Sequence, residues 1–360
     1  MNLYPRLIST FTAMQGRVGP YPSMRYSMTQ VVHQTQNDVE ALAPHPPIEV
    51  IQQDKNIRVN QALENLAGHL VYSENSQPGA VLHMMTEIGE WIGERILPRN
   101  CFCCLNGNVP KTVEILTDQH EIPWELTRIN GGFLSELAVH ARYPFVTRTR
   151  HAAVEYSKSP KMAIVLGLTE GLELAQKEAD DISSLFRQRF GTYPDRFESK
   201  VGGAQVLREI LLGTSYGSFD LVHFIGHGSS QIDSVWLEFP GLPFLGADVP
   251  RRLGGNPLVF WNACHSSASI SQRFRYQSDI VDAFGGRLLS AGASHFIGSL
   301  FPVLDSTATQ FSVSFYSSLF SGHEVGLAFF AAKKAVASAD PLVHTYALYG
   351  NPLLRVFSDV

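Results

Sequence analysis

Cysteine is scarce in this chain of 360 residues: there are four, three crowded as Cys101, Cys103 and Cys104, with Cys264 alone far downstream. Secreted disulfide frameworks are denser and more evenly spaced, so the pattern fits a reducing compartment. Charge is sparse as well, at 17% of residues with a net −5. Without a basic excess to neutralise phosphates, direct nucleic-acid binding and a broad membrane-surface footprint are not expected. Long hydrophobic runs are missing. The most apolar stretch, 288–304, is broken by Ser290, Gly292, His295 and Ser299, and the opening MNLYPRLISTFTAMQ lacks the apolar core of a signal peptide. These absences together predict a cytoplasmic protein that does not span a membrane. No repeat of solenoid length is visible, and there is no G-x-x-x-x-G-K-[ST], no G-x-G-x-x-G after a strand and no H-E-x-x-H. Nucleotide hydrolysis and zinc-peptidase chemistry therefore lack their residues. The Cys101–Cys104 cluster has no second ligand pair, so neither a metal nor a cofactor is expected.

What the chain does have is a globular composition, 44% hydrophobic, and enough length to bury a core without disulfide or metal. Residues 1–55 read as an irregular N-terminal extension, interrupted by Pro20, Pro22, Pro44, Pro46 and Pro47. Residues 56–155 read as a subdomain: a helix over 60–96, from the spacing of Leu63, Leu66, Leu70, Met84, Ile88, Ile92 and Ile96, then strands at 112–117 and 133–146. From 156 to 360 the grammar changes. Runs such as 163–168, 220–225 and 258–261 are apolar throughout and alternate with amphipathic helices. Strands without a polar face belong to a mostly parallel sheet covered by helices on both sides.

In such a sheet reactive groups gather at the carboxyl ends of strands. Two strand ends carry unusual residues here: Gly226-His227-Gly228, and Asn262-Ala263-Cys264-His265-Ser266. A histidine beside a thiol raises the thiolate fraction and later protonates a leaving amine, which suits acyl transfer through a thioester. The competing readings are a packed cysteine and a turn histidine. His223, mid-strand, reads as a core group or a support for the site. Gly213-Thr214-Ser215-Tyr216-Gly217 matches a nucleophile elbow, but it follows a helix and precedes a strand, the reverse of the order that motif needs.

The His-Gly and Cys motifs resemble those of clan CD peptidases, and more closely the CHAT family, a caspase-like domain. The resemblance runs from about residue 80 onward. It includes Ile122-Pro123-Trp124-Glu125-Leu126, Gly132-Phe133-Leu134, Gly292-Ala293-Ser294, Phe301-Pro302-Val303-Leu304-Asp305 and Tyr349-Gly350-Asn351-Pro352. It implies that 56–155 is the family's pseudo-caspase-like half and 156–360 the caspase-like catalytic domain. It further implies a cysteine endopeptidase with His227 as base, Cys264 as nucleophile, and the backbone N–H groups of Gly228 and Cys264 as oxyanion hole. Asp305, Asn262 and Glu170 are the candidate substrate-pocket residues. Metacaspase-like members carry an acid where this chain has Asn262, which weakens any expectation of arginine or lysine before the cleaved bond. The implied partners are a protein substrate and an activating or inhibiting protein, as for a prokaryotic effector of antiviral defence or cell death. The alternative is a catalytically silent interaction scaffold.

Overall fold

The computed structural model describes residues 6–18, 21–33, 39–41, 48–51, 78–96, 111–117, 122–144, 159–198, 200–231, 234–264 and 284–357. The chain divides into two compact units, Met1–Phe145 and Val146–Val360.

In the first unit, β1 (Arg6–Val18) and β2 (Tyr21–His33) form a long antiparallel hairpin. The short strands β3 (Val39–Ala41) and β4 (Ile48–Ile51) pair along β2. This corrects the irregular reading of 1–55. The signal was a period-two alternation through Met24, Tyr26, Met28, Gln30 and Val32, with polar residues mostly between them. Of the prolines that suggested breaks, Pro22 pairs with Arg17 at the start of β2, a place where a strand tolerates proline, and the other four lie outside the described residues.

The helix α1 (Pro78–Trp91), extended by one wider turn to Ile96, buries Val81, Met85, Ile88 and Ile92 at helical spacing. The expected part of this helix at 60–77 lies outside the described residues. β5 (Lys111–Thr117) runs parallel to both β1 and β8 (Val139–Pro144). Between β5 and β8 stand the two-residue strands β6 (Arg128–Ile129) and β7 (Gly132–Phe133). The strand expected over 133–146 is interrupted by one helical turn, Leu134–Leu137, because the Glu136 carboxylate accepts from the Phe133 N–H at 2.8 Å and closes that turn. Beneath it Arg142 and Glu125, both wholly buried, form a two-pronged ion pair, with Nε donating to Oε1 at 2.6 Å. Arg142 Nη2 also reaches the Ile122 carbonyl at 2.9 Å, so neither charge is left uncompensated.

The second unit is built on six strands. Those strands are β9 (Met162–Leu166), β10 (Asp195–Phe197), β11 (Leu221–Ile225), β15 (Leu258–Asn262), β16 (His295–Ser299) and β17 (Tyr346–Gly350). Their order is β10-β9-β11-β15-β16-β17, parallel except for β17. Every residue of β9, β11, β15, β16 and β17 is buried, as unbroken apolar runs require. The flanking helices are α2 (Ala175–Phe190), α3 (Gly203–Leu212), α4 (Phe284–Ala291), α5 (Asp305–Phe320) and α6 (Val325–Val336). Helix α5 packs its aromatic ridge on the sheet: Phe311 stacks on Tyr346 at 4.1 Å between centroids and meets Phe260 edge-on at 5.9 Å. Lys333, wholly buried in α6, ends on the carbonyls of His344 and Tyr346, at 3.2 and 2.6 Å. A small antiparallel sheet, β12 (Gly228–Gln231), β13 (Ser234–Leu237) and β14 (Phe244–Leu245), leaves the end of β11. Among the described residues no helix is long and apolar enough to cross a membrane.

Candidate active site

Strands β11 and β15 are parallel neighbours in register, the last pair being Ile225 with Asn262. Continuing that register by two residues sets His227 opposite Cys264, and neighbouring strands lie only about 4.8 Å apart. The chains stay close past the sheet: the Gly226 N–H reaches the Asn262 carbonyl at 3.4 Å. At Gly228 a Cβ would come within 2.2 Å of the Cys264 carbonyl oxygen, so only glycine lets this turn close onto Cys264. His227 and Cys264, both half-buried, line one cleft of about 390 Å³, its open mouth included.

The imidazole is held by backbone. His227 Nε2 lies 2.7 Å from the carbonyl oxygen of Glu170, and a carbonyl only accepts, so Nε2 carries the hydrogen. In the neutral ring that leaves Nδ1 as the basic nitrogen. The carbonyl is itself fixed. The loop from Gly167 to Leu174 is tied by the Gly167 N–H to Ile225, by the Leu168 N–H to Glu238 and by the His227 N–H to Leu168. At its far end the Leu174 N–H donates to the Asp305 carboxylate at 2.8 Å. Glu170 thus contributes its main chain, and its side chain is on an exposed residue. Asp305 opens α5, lines the cleft and anchors this loop.

Cys264 is a thiol at rest. Burial pushes it above the ordinary cysteine value and the Glu238 carboxylate adds to this, while the backbone N–H groups of Val303 and Cys264 itself pull partly back. A preformed thiolate, which a nearby histidine alone would favour, is thereby disfavoured.

Beside Cys264 lies a buried polar chain. The Asn262 side chain donates from Nδ2 to Glu178 Oε1 at 2.7 Å and accepts the Tyr346 hydroxyl at 2.5 Å. Glu178 Oε1 also meets His223 Nε2 at 2.9 Å, and His223 Nδ1 faces the Tyr316 hydroxyl at 3.3 Å. Tyr346 is held well above the ordinary phenol value, by burial first and then by Glu178, so it remains a donor. An aspartate at 262 could not donate to Glu178, which gives the amide at this position its physical reason. Glu178 was not among the residues singled out from sequence. Its signal was an acid on the buried stripe of α2, between Ala175, Ala179, Ile182 and Phe186.

Ser215, the centre of the elbow-like Gly213–Gly217 segment, is exposed and donates to Glu209 at 2.7 Å. With the Gln205 bond, that contact lowers the Glu209 carboxyl below its ordinary value. Cys101, Cys103, Cys104, His265 and Ser266 lie outside the described residues, and among the described residues no cluster could hold a metal.

A CHAT domain model matches residues 113–349, well over half of the sequence. The chain belongs to the CHAT family. Solved structures of similar fold include cysteine proteinases and separase. The Arg-specific cysteine proteinase gingipain R matches with TM-score 0.53 at 15% identity, over 77% of this chain and 76% of that one. The complex of Porphyromonas gingivalis RgpB pro- and mature domains matches with TM-score 0.50 at 15% identity, over 78% of each chain. Separase in the Saccharomyces cerevisiae separase–securin complex matches with TM-score 0.56 at 10% identity, over 96% of this chain but 30% of that one. At these identities the likeness is one of fold, caspase-like with a mostly parallel sheet and flanking helices. Among curated protein sequences nothing matches.

Proposed function

We propose that this CHAT domain is a cysteine endopeptidase in which Cys264 attacks a peptide carbonyl and His227 carries the proton. The observation that carries the reading is that His227 and Cys264 follow adjacent strand ends and line one cleft, with the imidazole fixed by a carbonyl on Nε2 and Nδ1 left basic. In the first step the Cys264 proton passes to His227 Nδ1 as sulfur bonds the carbonyl carbon. The N–H groups of Gly228 and Cys264 receive the oxyanion. The C–N bond then breaks, His227 protonates the departing amine, and water releases the acyl group from sulfur with the proton returning through His227. The clan CD fold supports this chemistry.

The reading includes control by a protein partner, in keeping with a family effector of defence or cell death. A thiol raised chiefly by burial supports it, since a partner that opened the cleft to water would favour the thiolate. Separase, of similar fold, is seen in complex with securin, a precedent for a protein partner. The same protonated thiol favours a second reading, a silent scaffold.

A mixed peptide library offered to the wild type and to Cys264→Ala separates the two. The peptidase reading expects cleavage by the wild type alone. Cleavage by both proteins, or by neither with no acyl group on Cys264, contradicts it, and the latter leaves the scaffold.

A further inference from the structure

We propose that Asp305 is a positioning residue of the active site, one carboxylate that braces the two main-chain segments on which His227 and Cys264 depend. The proposal rests on the peptidase reading above and deepens it. The sequence made Asp305 a candidate for the substrate pocket; its contacts give it a different task.

The first segment is the loop from β9 to α2. Its start is tied down through Gly167 and Leu168, and the Thr169 carbonyl accepts the Leu172 N–H at 2.9 Å to close a turn. Glu170 and Gly171 form the exposed tip of that turn, and the tip carries the carbonyl that holds His227 Nε2. Beyond the tip, among the described residues, the loop is secured from outside by the bond from the Leu174 N–H to Asp305 Oδ2.

The second segment follows β16. The Leu300 N–H bonds the Thr345 carbonyl, and the Ser299 hydroxyl donates to the Phe301 carbonyl. Pro302 has no N–H to give. The next N–H, that of Val303, hydrogen-bonds the Cys264 sulfur. Val303 stands two residues before Asp305. A shift at Asp305 therefore reaches the imidazole through Glu170 and the sulfur through Val303.

An acid in the first turn of a helix ordinarily serves its own helix. Asp305 opens α5, yet among the described residues its hydrogen bond goes to Leu174, at the N-terminal edge of α2 and 131 positions away. One carboxylate thus joins the starts of two helices, and the positive ends of both favour its charge. Its second oxygen has no partner among the described residues, so recognition of a cationic substrate is the reading to be separated from bracing.

The test measures acylation of Cys264 in the full chain by two peptidyl nitrophenyl esters, one ending in lysine and one in norleucine, its uncharged counterpart. In Asp305→Ala the acylation rate constant should fall about ten- to a hundredfold for both esters alike, with the half-saturating ester concentration little changed. Asp305→Asn keeps an oxygen for the Leu174 N–H and should stay within about threefold of the wild type for both esters. Nitrogen-15 NMR of the imidazoles adds a reading that needs no substrate, with the His227 signal assigned by its loss in His227→Ala. It should show the Nε2–H tautomer in the wild type and in Asp305→Asn, and a mixture of tautomers in Asp305→Ala. A loss confined to the lysine ester in either variant overturns the brace and leaves the peptidase standing. So does an unchanged His227 tautomer in Asp305→Ala, or an Asp305→Asn chain as slow as Asp305→Ala. A folded wild type that neither ester acylates removes the peptidase, and the brace with it.

Discussion

Two histidines stand four positions apart around β11, and the chain treats them in opposite ways. His223 is wholly buried with both ring nitrogens engaged, one by the Glu178 carboxylate and one by the Tyr316 hydroxyl. His227, past the strand end, is half-buried and has one nitrogen on a carbonyl; among the described residues Nδ1 has no partner. A ring with both nitrogens satisfied inside the protein holds structure together. A ring with one nitrogen satisfied and the other open to a cleft can move a proton. The same residue type, within β11 and just past its end, therefore meets two different surroundings, one closed and one open.

The largest effect should come from His227→Ala. Acylation of Cys264 should fall by about 10²- to 10⁴-fold, as loss of a general base does, while stability in urea should shift by no more than about 0.5 kcal/mol. His223→Ala should behave in reverse. Removing one partner of a buried pair costs about 3 kcal/mol or more, with Glu178→Gln in the same chain restoring part of it, and acylation per folded molecule should drop less than about tenfold. Equal losses of activity from both variants would dissolve the comparison. Gly228→Ala should cost acylation through geometry alone, because its Cβ would meet the Cys264 carbonyl at 2.2 Å.

A subtler effect lies in pH. Because the thiol is raised chiefly by burial and then by Glu238, its thiolate fraction at neutral pH is below that of a free cysteine. Iodoacetamide labelling of Cys264 should therefore rise with pH to a midpoint above the free-cysteine value of about 8.5. His227→Ala should leave that midpoint in place, whereas Glu238→Gln should lower it. A midpoint below the free value in the wild type would show a preformed ion pair. The smallest effect should be that of Ser215→Ala, which is exposed and outside the cleft: cleavage and stability should stay within error, about 0.5 kcal/mol.

Much of this was legible in the sequence because burial on both faces leaves a plain trace. The runs at 163–166, 221–225 and 258–261 could only be covered strands, and their ends carry His227 and Cys264. Resemblance to the family supplied the pairing of roles. What was not legible depends on contacts across the fold. The role of Glu170 is played by its carbonyl, which every residue possesses, so no side-chain pattern marks it. The inward partners of Asn262, Glu178 and Tyr346, are 84 residues away in opposite directions, so no local pattern reveals them. The thiol shift of Cys264 arises from enclosure and from a carboxylate on the segment after β13. The hairpin of β1 and β2 is a different failure: its alternation was present, and prolines at its margins obscured it.

The central claim is that Cys264 and His227 act as one unit. The direct measurement is the burst of nitrophenol from a peptidyl nitrophenyl ester, with the adduct located by mass spectrometry in the wild type, Cys264→Ala and His227→Ala. The account predicts one acyl group per wild-type chain, on Cys264, none in Cys264→Ala, and formation slower by about a hundredfold or more in His227→Ala. Acylation at the same rate with and without His227, or an acyl group on any other residue, would contradict it.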